Sequence, residues 1–114
     1  MVAIYHNPRC SKSRQTLDLL RKRGIEPDIV EYLKTPPDKA ELKRVLKLLG
    51  LEPRALMRKG EAVYKEKRLD NPKLTDDQLV AAMVANPILI ERPIVLAGRK
   101  AALGRPPEKV LEIL

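Results

Sequence analysis

The 114-residue sequence predicts an α/β fold with a helical insert. The predicted elements follow the order β-α-β, then helices, then β-β-α, which indicates strands flanked by helices. Glycine and proline signals separate these segments, and no repeat or low-complexity tract interrupts them. The length suits one domain and is too short for two of ordinary size. We therefore expect a single domain over residues 1–114, with the insert at about residues 36–90.

The first three predicted elements are a strand, a helix and a strand. The apolar run at residues 2–5 predicts a short buried strand, which ends at a His-Asn-Pro turn signal. A helix is predicted from Ser11 to the region of Gly24, where three consecutive cations precede a glycine that can stop it. Residues 29–33 then predict a second strand, because β-branched and aromatic residues are enriched there.

Two amphipathic helices are predicted in the insert. The first begins at the capping sequence of residues 38–41, and its apolar residues recur at helical spacing until a glycine ends it. The second begins at the capping box of residues 75–78 and ends at an Asn-Pro pair. Between them, residues 51–74 are basic and irregular. This segment predicts one short helix around residues 54–58, followed by loops.

A hairpin and a helix complete the predicted fold. Residues 94–97 form a β-rich run, and residues 98–99 provide a turn into a second strand at residues 100–103. Gly104 ends that strand. Two prolines at residues 106–107 can then occupy the first turn of a final helix.

The composition excludes several classes of protein. Hydrophobic residues make up 44% and charged residues 33%, which is globular rather than disordered composition. No apolar run approaches the roughly 18 to 20 residues of a membrane span, and the N-terminus lacks signal-peptide features. We therefore expect a cytoplasmic protein with no membrane partner. The net charge of +8 favours anionic partners, but the cations are dispersed and the aromatic residues are three tyrosines, so we expect no nucleic-acid partner.

The cysteine count restricts the possible chemistry further. Cys10 is the only cysteine and His6 the only histidine, so the chain can form neither an internal disulfide nor a thiolate-rich metal site. We expect no metal and no bound cofactor. Any redox role of Cys10 therefore requires a thiol from another molecule.

Cys10 lies where the first predicted strand gives way to the first helix. Helix N–H groups and the positive end of the helix dipole favour a thiolate there, and such positions lower a cysteine pKa from about 8.5 to roughly 3.5–7.5. Arg14 adds positive charge one turn along the helix, and Ser13 is placed to donate its hydroxyl to the sulfur. His6 is either a strand-end histidine that hydrogen-bonds to backbone or a residue that orients or tunes the thiolate. The alternative is an inert buried cysteine, but these polar and basic neighbours favour a reactive one.

The segment around Cys10 resembles the active-site segment of the glutaredoxin-dependent arsenate reductases, in the ArsC/Spx family. The residues that carry this resemblance are Tyr5-His6-Asn7-Pro8-Arg9-Cys10-Ser11-Lys12-Ser13-Arg14. Further similar segments occur in the family's order at residues 55–59, 75–79, 86–95 and 104–106, so the resemblance spans essentially the whole chain. It implies a thioredoxin-like fold, in which helices flank a mixed sheet, with an inserted helical subdomain.

The same resemblance implies a reaction and its residues. In this family a cysteine thiolate attacks arsenate, and three arginines hold the oxyanion; the corresponding residues are Cys10, Arg58, Arg92 and Arg105. Pro93 corresponds to the cis proline that thioredoxin folds place opposite the cysteine. The implied function is arsenate reductase, with arsenate or a similar oxyanion as substrate. Glutathione is the implied external reductant, and glutaredoxin is the implied partner that resolves the mixed disulfide.

Two departures from the family pattern leave alternatives open. Ser11 and Lys12 follow the cysteine where the family tends to have Gly and then Thr, and the sequence stops at Leu114, so it resembles a shorter branch. Glutathione-dependent reduction of another substrate is one alternative. The other is an Spx-like regulator that binds RNA polymerase. Many such regulators switch through a Cys-x-x-Cys disulfide, whereas Ser13 occupies the second position here, and the three arginines also favour the enzyme.

Overall fold

The computed structural model describes residues 1–114, and the chain divides into two compact units. The first unit comprises Met1–Thr35 and Arg92–Leu114, and the second comprises Pro36–Glu91. The second unit spans nearly the same residues as the predicted helical insert.

A four-stranded mixed sheet forms the centre of the first unit. Its strands, in chain order, are β1 (Val2–Tyr5), β2 (Asp28–Val30), β3 (Ile94–Ala97) and β4 (Lys100–Leu103). The spatial order is β2-β1-β3-β4; β1 is parallel to β2 and antiparallel to β3, which is antiparallel to β4. Helix α1 (Ser11–Lys22) connects the parallel pair, as such pairs require a crossover. This mixed sheet with its helices confirms the α/β fold class.

The core of the first unit joins the sheet to α1 and to the C-terminal helical segment. Its buried cluster consists of Ile4 of β1, Leu17 and Leu20 of α1, Val95 of β3, and Val110. The leucines lie three residues apart on one side of α1, and this i,i+3 spacing is what predicts a helix from the sequence. Val110 belongs to a 3₁₀ helix over Pro107–Ile113, where an α-helix was predicted; short terminal segments can adopt this tighter turn.

Strand β2 is shorter than predicted. It ends at Val30, and a turn follows in which the N–H groups of Lys34 and Thr35 both donate to the carbonyl of Glu31, each at 2.9 Å. Tyr32, predicted to continue the strand, is nevertheless 1% exposed. Its apolar character therefore reflects burial in the fold and not pairing in the sheet.

The second unit consists of helices. They are α2 (Lys39–Leu49), α3 (Ala62–Glu66) and α4 (Asp76–Ala85), with 3₁₀ helices at Pro53–Leu56 and Pro87–Leu89. The two predicted caps are present: Asp38 accepts the N–H of Glu41, and Thr75 and Gln78 form a reciprocal capping box. No helix is both long enough and apolar enough to traverse a membrane.

The segment between α2 and α4 differs from the prediction in two places. The short helix predicted around residues 54–58 is a 3₁₀ turn over Pro53–Leu56, so Arg58 lies beyond it, and α3 was not predicted. Met57 instead forms an isolated antiparallel bridge with Ile90. Local periodicity carries no signal for a bridge between residues so far apart in the chain.

Gly104, which follows β4, lies very close to Thr16 and Pro93 of the first unit. Its N–H donates to the carbonyl of Pro93 at 2.9 Å. A Cβ atom at this position would lie 2.5 Å from Thr16 Oγ1 and 2.7 Å from Pro93 Cγ. Thr16 is fully buried, and its hydroxyl donates to the carbonyl of Lys12 at 2.8 Å. Because burial and this hydrogen bond hold Thr16 in place, position 104 requires a residue without a side chain.

We expect Gly104→Ala to lower the free energy of unfolding by about 1–3 kcal/mol, the usual cost of overpacking a well-packed site. Gly60→Ala is the matched control, because an added Cβ there meets nothing within 4 Å. It should change stability by no more than about 0.5 kcal/mol. Urea denaturation of both variants measures the difference, and equal stabilities would contradict the close approach.

Candidate active site

Cys10 is the N-cap residue of α1 and follows the turn that leaves β1. Its backbone is extended, with φ −94° and ψ 122°, and its carbonyl accepts the N–H of Arg14 at 3.0 Å. The N–H of Cys10 donates to the carbonyl of Asn7 at 3.0 Å, and Asn7 Oδ1 accepts the N–H of Arg9 at 3.0 Å. The turn therefore holds the cysteine at the helix start, where the sequence predicts it.

The surroundings of the Cys10 sulfur favour its ionised form. Burial, with Cys10 9% exposed, raises the pKa of the thiol. Interactions with the backbone N–H of Ser13, the guanidinium of Arg92 and the backbone N–H of Lys12 lower that pKa and outweigh burial, so the net shift is downward. The two N–H groups belong to the first turn of α1, where the helix dipole is positive. The helix start and one arginine together stabilise a thiolate.

A buried hydrogen-bonded pair supports this helix start. Ser13 Oγ lies 2.6 Å from His6 Nδ1 and accepts the N–H of Asn7 at 3.0 Å. The sequence predicts that the Ser13 hydroxyl donates to the sulfur, but the hydroxyl contacts His6, and the backbone N–H of Ser13 faces the sulfur instead. His6 therefore acts on the turn through Ser13.

The environment of His6 favours the neutral form of its imidazole. Burial lowers the pKa of His6 from its ordinary value; Glu31 raises it, and Arg21 and Arg14 lower it further. The backbone N–H of His6 donates to the carbonyl of Val30 at 2.8 Å and continues the pairing of β1 with β2. A neutral, fixed imidazole is suited to holding Ser13, and it leaves the sulfur to other groups.

Arg14 has a different position from the one its spacing predicts. Its side chain is exposed, and Nη1 donates to the carbonyl of Pro8 at 2.9 Å. It thereby closes the turn before Cys10, while the cation that lowers the Cys10 pKa is Arg92. The predicted electrostatic role of Arg14 therefore belongs to a residue that is distant in sequence.

Strand pairing explains how Arg92 reaches the sulfur. Tyr5, the last residue of β1, pairs with Ile94, the first residue of β3, so the turn to Cys10 and the segment with Arg92 share one edge of the sheet. Ile94 also pairs with Leu103, the last residue of β4. The segment that follows β4 therefore leaves the sheet at this edge as well.

Arg105 lies in that segment after β4. Its Nε donates to the carbonyl of Arg92 at 2.9 Å. The Arg92–Pro93 and Arg105–Pro106 peptide bonds are both cis, and the first is the bond for which the resemblance implies this geometry. Two of the three predicted arginines thus adjoin each other, and one of them interacts with Cys10.

Arg58 belongs to the second unit, where it contacts two carboxylates. Its Nη1 lies 3.0 Å from Glu61 Oε2, and its Nε lies 3.7 Å from Glu91 Oε1. Its backbone N–H donates to the carbonyl of Leu89 at 2.7 Å. Neither carboxylate was predicted from the sequence. Glu61 had a local signal, since i,i+3 is an ion-pair spacing, whereas the approach of Glu91 depends on the Met57–Ile90 bridge.

Comparison with known proteins decides the family. The model of the ArsC family matches residues 5–113. The chain belongs to the ArsC family. This ArsC-family chain is 53% identical over 114 residues to an arsenate reductase of Neisseria meningitidis, covering 99% of this chain and 97% of the relative. It is 48% identical over 113 residues to an arsenate reductase of Escherichia coli, covering 99% of this chain and 80% of the relative.

Solved structures support the same membership. The structure of an arsenate reductase from Vibrio cholerae superposes with a TM-score of 0.97 at 57% identity, covering 99% of this chain and 97% of that one. The ArsC-family chain thus has the thioredoxin-like fold that the resemblance implies, with a mixed sheet and flanking helices.

We expect iodoacetamide to alkylate Cys10 with a pH midpoint below about 8.5, the pKa of a free cysteine. Arg92→Ala should raise the midpoint, because the thiolate loses the cation that lowers the pKa of Cys10. Arg99→Ala removes an equal charge from the exposed hairpin turn and should leave the midpoint unchanged. A midpoint at or above about 8.5 in the unmodified chain would contradict the stabilised thiolate.

We expect stability to decrease as the pH falls below about 6.5, the ordinary pKa of histidine. The folded pKa of His6 lies below the unfolded one, so the unfolded chain binds the proton more readily. The stabilisation is therefore complete above the unfolded pKa and lost on acidification through the folded pKa. His6→Asn keeps an acceptor for Ser13 without a titrating ring, so its stability should decrease less. Urea denaturation between about pH 5 and 7 tests this, and parallel curves for both proteins would refute it.

Proposed function

We propose that the chain is an arsenate reductase in which Cys10 is the nucleophile. The observation that carries the proposal is the interaction of the Cys10 sulfur with the first turn of α1 and with Arg92. A stabilised thiolate beside a guanidinium is suited to attack on an oxyanion. Relatives named arsenate reductase, with about half of their residues identical over nearly the whole chain, add support.

Charge neutralisation is the requirement that the arginines meet. A thiolate and an arsenate dianion repel each other, so positive charge must offset the repulsion before the sulfur can approach. Guanidinium groups remain charged and present paired donors that match the edge of a tetrahedral oxyanion. Arg92 already interacts with the sulfur, and Arg105 adjoins Arg92. Arg58 completes the proposed set, on the strength of the family resemblance.

The proposed reaction begins when the Cys10 sulfur forms a bond to arsenic, and one arsenate hydroxyl takes up a proton from solvent and leaves as water. A glutathione thiolate then attacks the Cys10 sulfur, forming a mixed disulfide as the S–As bond breaks. The bonding electron pair stays on arsenic, which is reduced from As(V) to arsenite. Glutaredoxin next resolves the mixed disulfide by thiol–disulfide exchange. The single cysteine supports this external route, because the chain cannot form an internal disulfide.

The proposal includes a cytoplasmic location. The reaction consumes glutathione and needs Cys10 in its reduced form. Glutathione and thioredoxin keep thiols reduced in the cytosol. The single unpaired cysteine of this chain suits that compartment.

We expect arsenate-dependent NADPH oxidation when the chain is supplied with glutathione, glutathione reductase and glutaredoxin. Cys10→Ser should abolish this rate, and omission of glutaredoxin should lower it. Arg92→Ala and Arg105→Ala should each reduce kcat/KM for arsenate by roughly 10- to 100-fold, the value of a charge-assisted hydrogen bond. Arg99→Ala is the control for loss of one positive charge and should retain full activity.

Two outcomes would contradict the proposal. An arsenate-dependent rate no higher than that of Cys10→Ser would exclude arsenate as the substrate. Unchanged kinetics in both Arg92→Ala and Arg105→Ala would remove the oxyanion role of this arginine pair. Retained activity without any glutaredoxin would revise only the partner.

A further inference from the structure

Two carboxylates flank the guanidinium of Arg58 within the second unit. Glu61 lies at Nη1, with a distance of 3.0 Å, and Glu91 lies at Nε, with a distance of 3.7 Å. The N–H of Glu61 donates to the carbonyl of Arg58 at 3.3 Å, and the N–H of Glu91 donates to the carbonyl of Leu56 at 2.8 Å. Both carboxylates are therefore positioned by backbone hydrogen bonds as well as by attraction to the arginine.

The local charge of this group is opposite in sign to that of the chain. One guanidinium and two carboxylates sum to −1, whereas the whole chain carries +8. The side chains of Arg58, Glu61 and Glu91 are 27%, 24% and 25% exposed, so solvent screens them less than it screens the exposed Glu41–Arg44 pair. An anion that approaches Arg58 therefore meets two negative charges that are only partly screened.

The remaining donors of Arg58 are still suited to an anion. A guanidinium has five N–H groups in a planar fork, and the two ion pairs engage Nε and Nη1. Glu61 and Glu91 thus lie beside Nη1 and Nε, and the fork provides further N–H groups that can donate to an anion.

We propose that Glu61 and Glu91 are positioning residues that orient Arg58 and lower its affinity for oxyanions. The inference rests on the proposed function only in assigning Arg58 to oxyanion binding. Coulomb repulsion scales with the charge of the ligand, so each carboxylate opposes a dianion about twice as strongly as a monoanion. The two glutamates therefore set how strongly the site discriminates between anions of different charge.

The test uses Glu61→Gln and Glu91→Gln, which remove a charge while preserving the shape of the side chain. The readout is the dissociation constant of sulfate, a tetrahedral dianion, measured by isothermal titration calorimetry, so it does not depend on turnover. Each variant should bind sulfate about two- to fivefold more tightly, the size expected of a partly exposed ion pair. Perchlorate, a tetrahedral monoanion, should gain about half as much on a logarithmic scale.

Glu41→Gln is the matched control. Glu41 also pairs with an arginine at i,i+3 spacing in the second unit, but with Arg44. Its removal should leave the dissociation constant of sulfate unchanged. Thermal unfolding of all variants verifies that each one is folded, and the two glutamine variants test the proposal independently of each other.

Arg58→Ala separates the failure of this inference from the failure of the proposed function. If Arg58→Ala weakens sulfate binding while both glutamine variants bind it no more tightly than the unmodified chain, the counter-ion role is overturned and Arg58 keeps its assignment. Equal gains for sulfate and perchlorate would overturn the electrostatic explanation. If Arg58→Ala has no effect, both the inference and the assignment of Arg58 are overturned. The roles of Cys10 and Arg92 would then still be decided by the coupled assay.

Discussion

The site in the first unit depends on one constraint: the Cys10 sulfur is buried, yet its surroundings must favour its ionised form. Burial removes a thiolate from water and so raises its free energy. Fixed dipoles and charges of the protein must therefore stabilise it instead. Two N–H groups of the first helical turn and the guanidinium of Arg92 do so for Cys10, and they outweigh burial. The N–H dipoles belong to α1, and the positive charge belongs to Arg92, which precedes β3. The pKa of Cys10 therefore stays lowered only while α1 and the segment before β3 keep their relative positions.

Several contacts around the sulfur maintain those positions without touching it. On the helix side, His6 and Ser13 form a buried pair that fixes the turn before α1. On the hairpin side, Arg105 donates to the carbonyl of Arg92, and Gly104 allows the chain to pass close to Pro93. The sheet joins the two sides, because the end of β1 pairs with the start of β3. The position of the Cys10 sulfur thus depends on strand pairing and on these side-chain and backbone contacts.

The second unit has its own charge arrangement around Arg58. Backbone pairing next to the Met57–Ile90 bridge places Glu91 by the guanidinium, and the following turn places Glu61 there. The arginine implied as an anion ligand is therefore already neutralised by its own unit. Arg92 differs, since its guanidinium interacts with the Cys10 sulfur and lowers the pKa of that thiol. Arg58 and Arg92, to which the resemblance assigns the same oxyanion-binding role, thus have different electrostatic environments.

The sequence alone determined the features that depend on neighbours within one or two turns. Periodicity predicts the strands β1, β3 and β4. Local hydrogen bonding and helix-start signals predict the caps of α2 and α4 and the position of Cys10 at a helix start. The end of β2 at Val30 and the helix α3 were not predicted, because turns and single helical turns carry weak patterns. Only the tertiary structure decided that Arg92 instead of Arg14 serves the sulfur, that the Ser13 hydroxyl contacts His6, and that Glu91 pairs with Arg58. Strand register and long-range backbone pairing decide which of these side chains meet, and neither is encoded in local spacing.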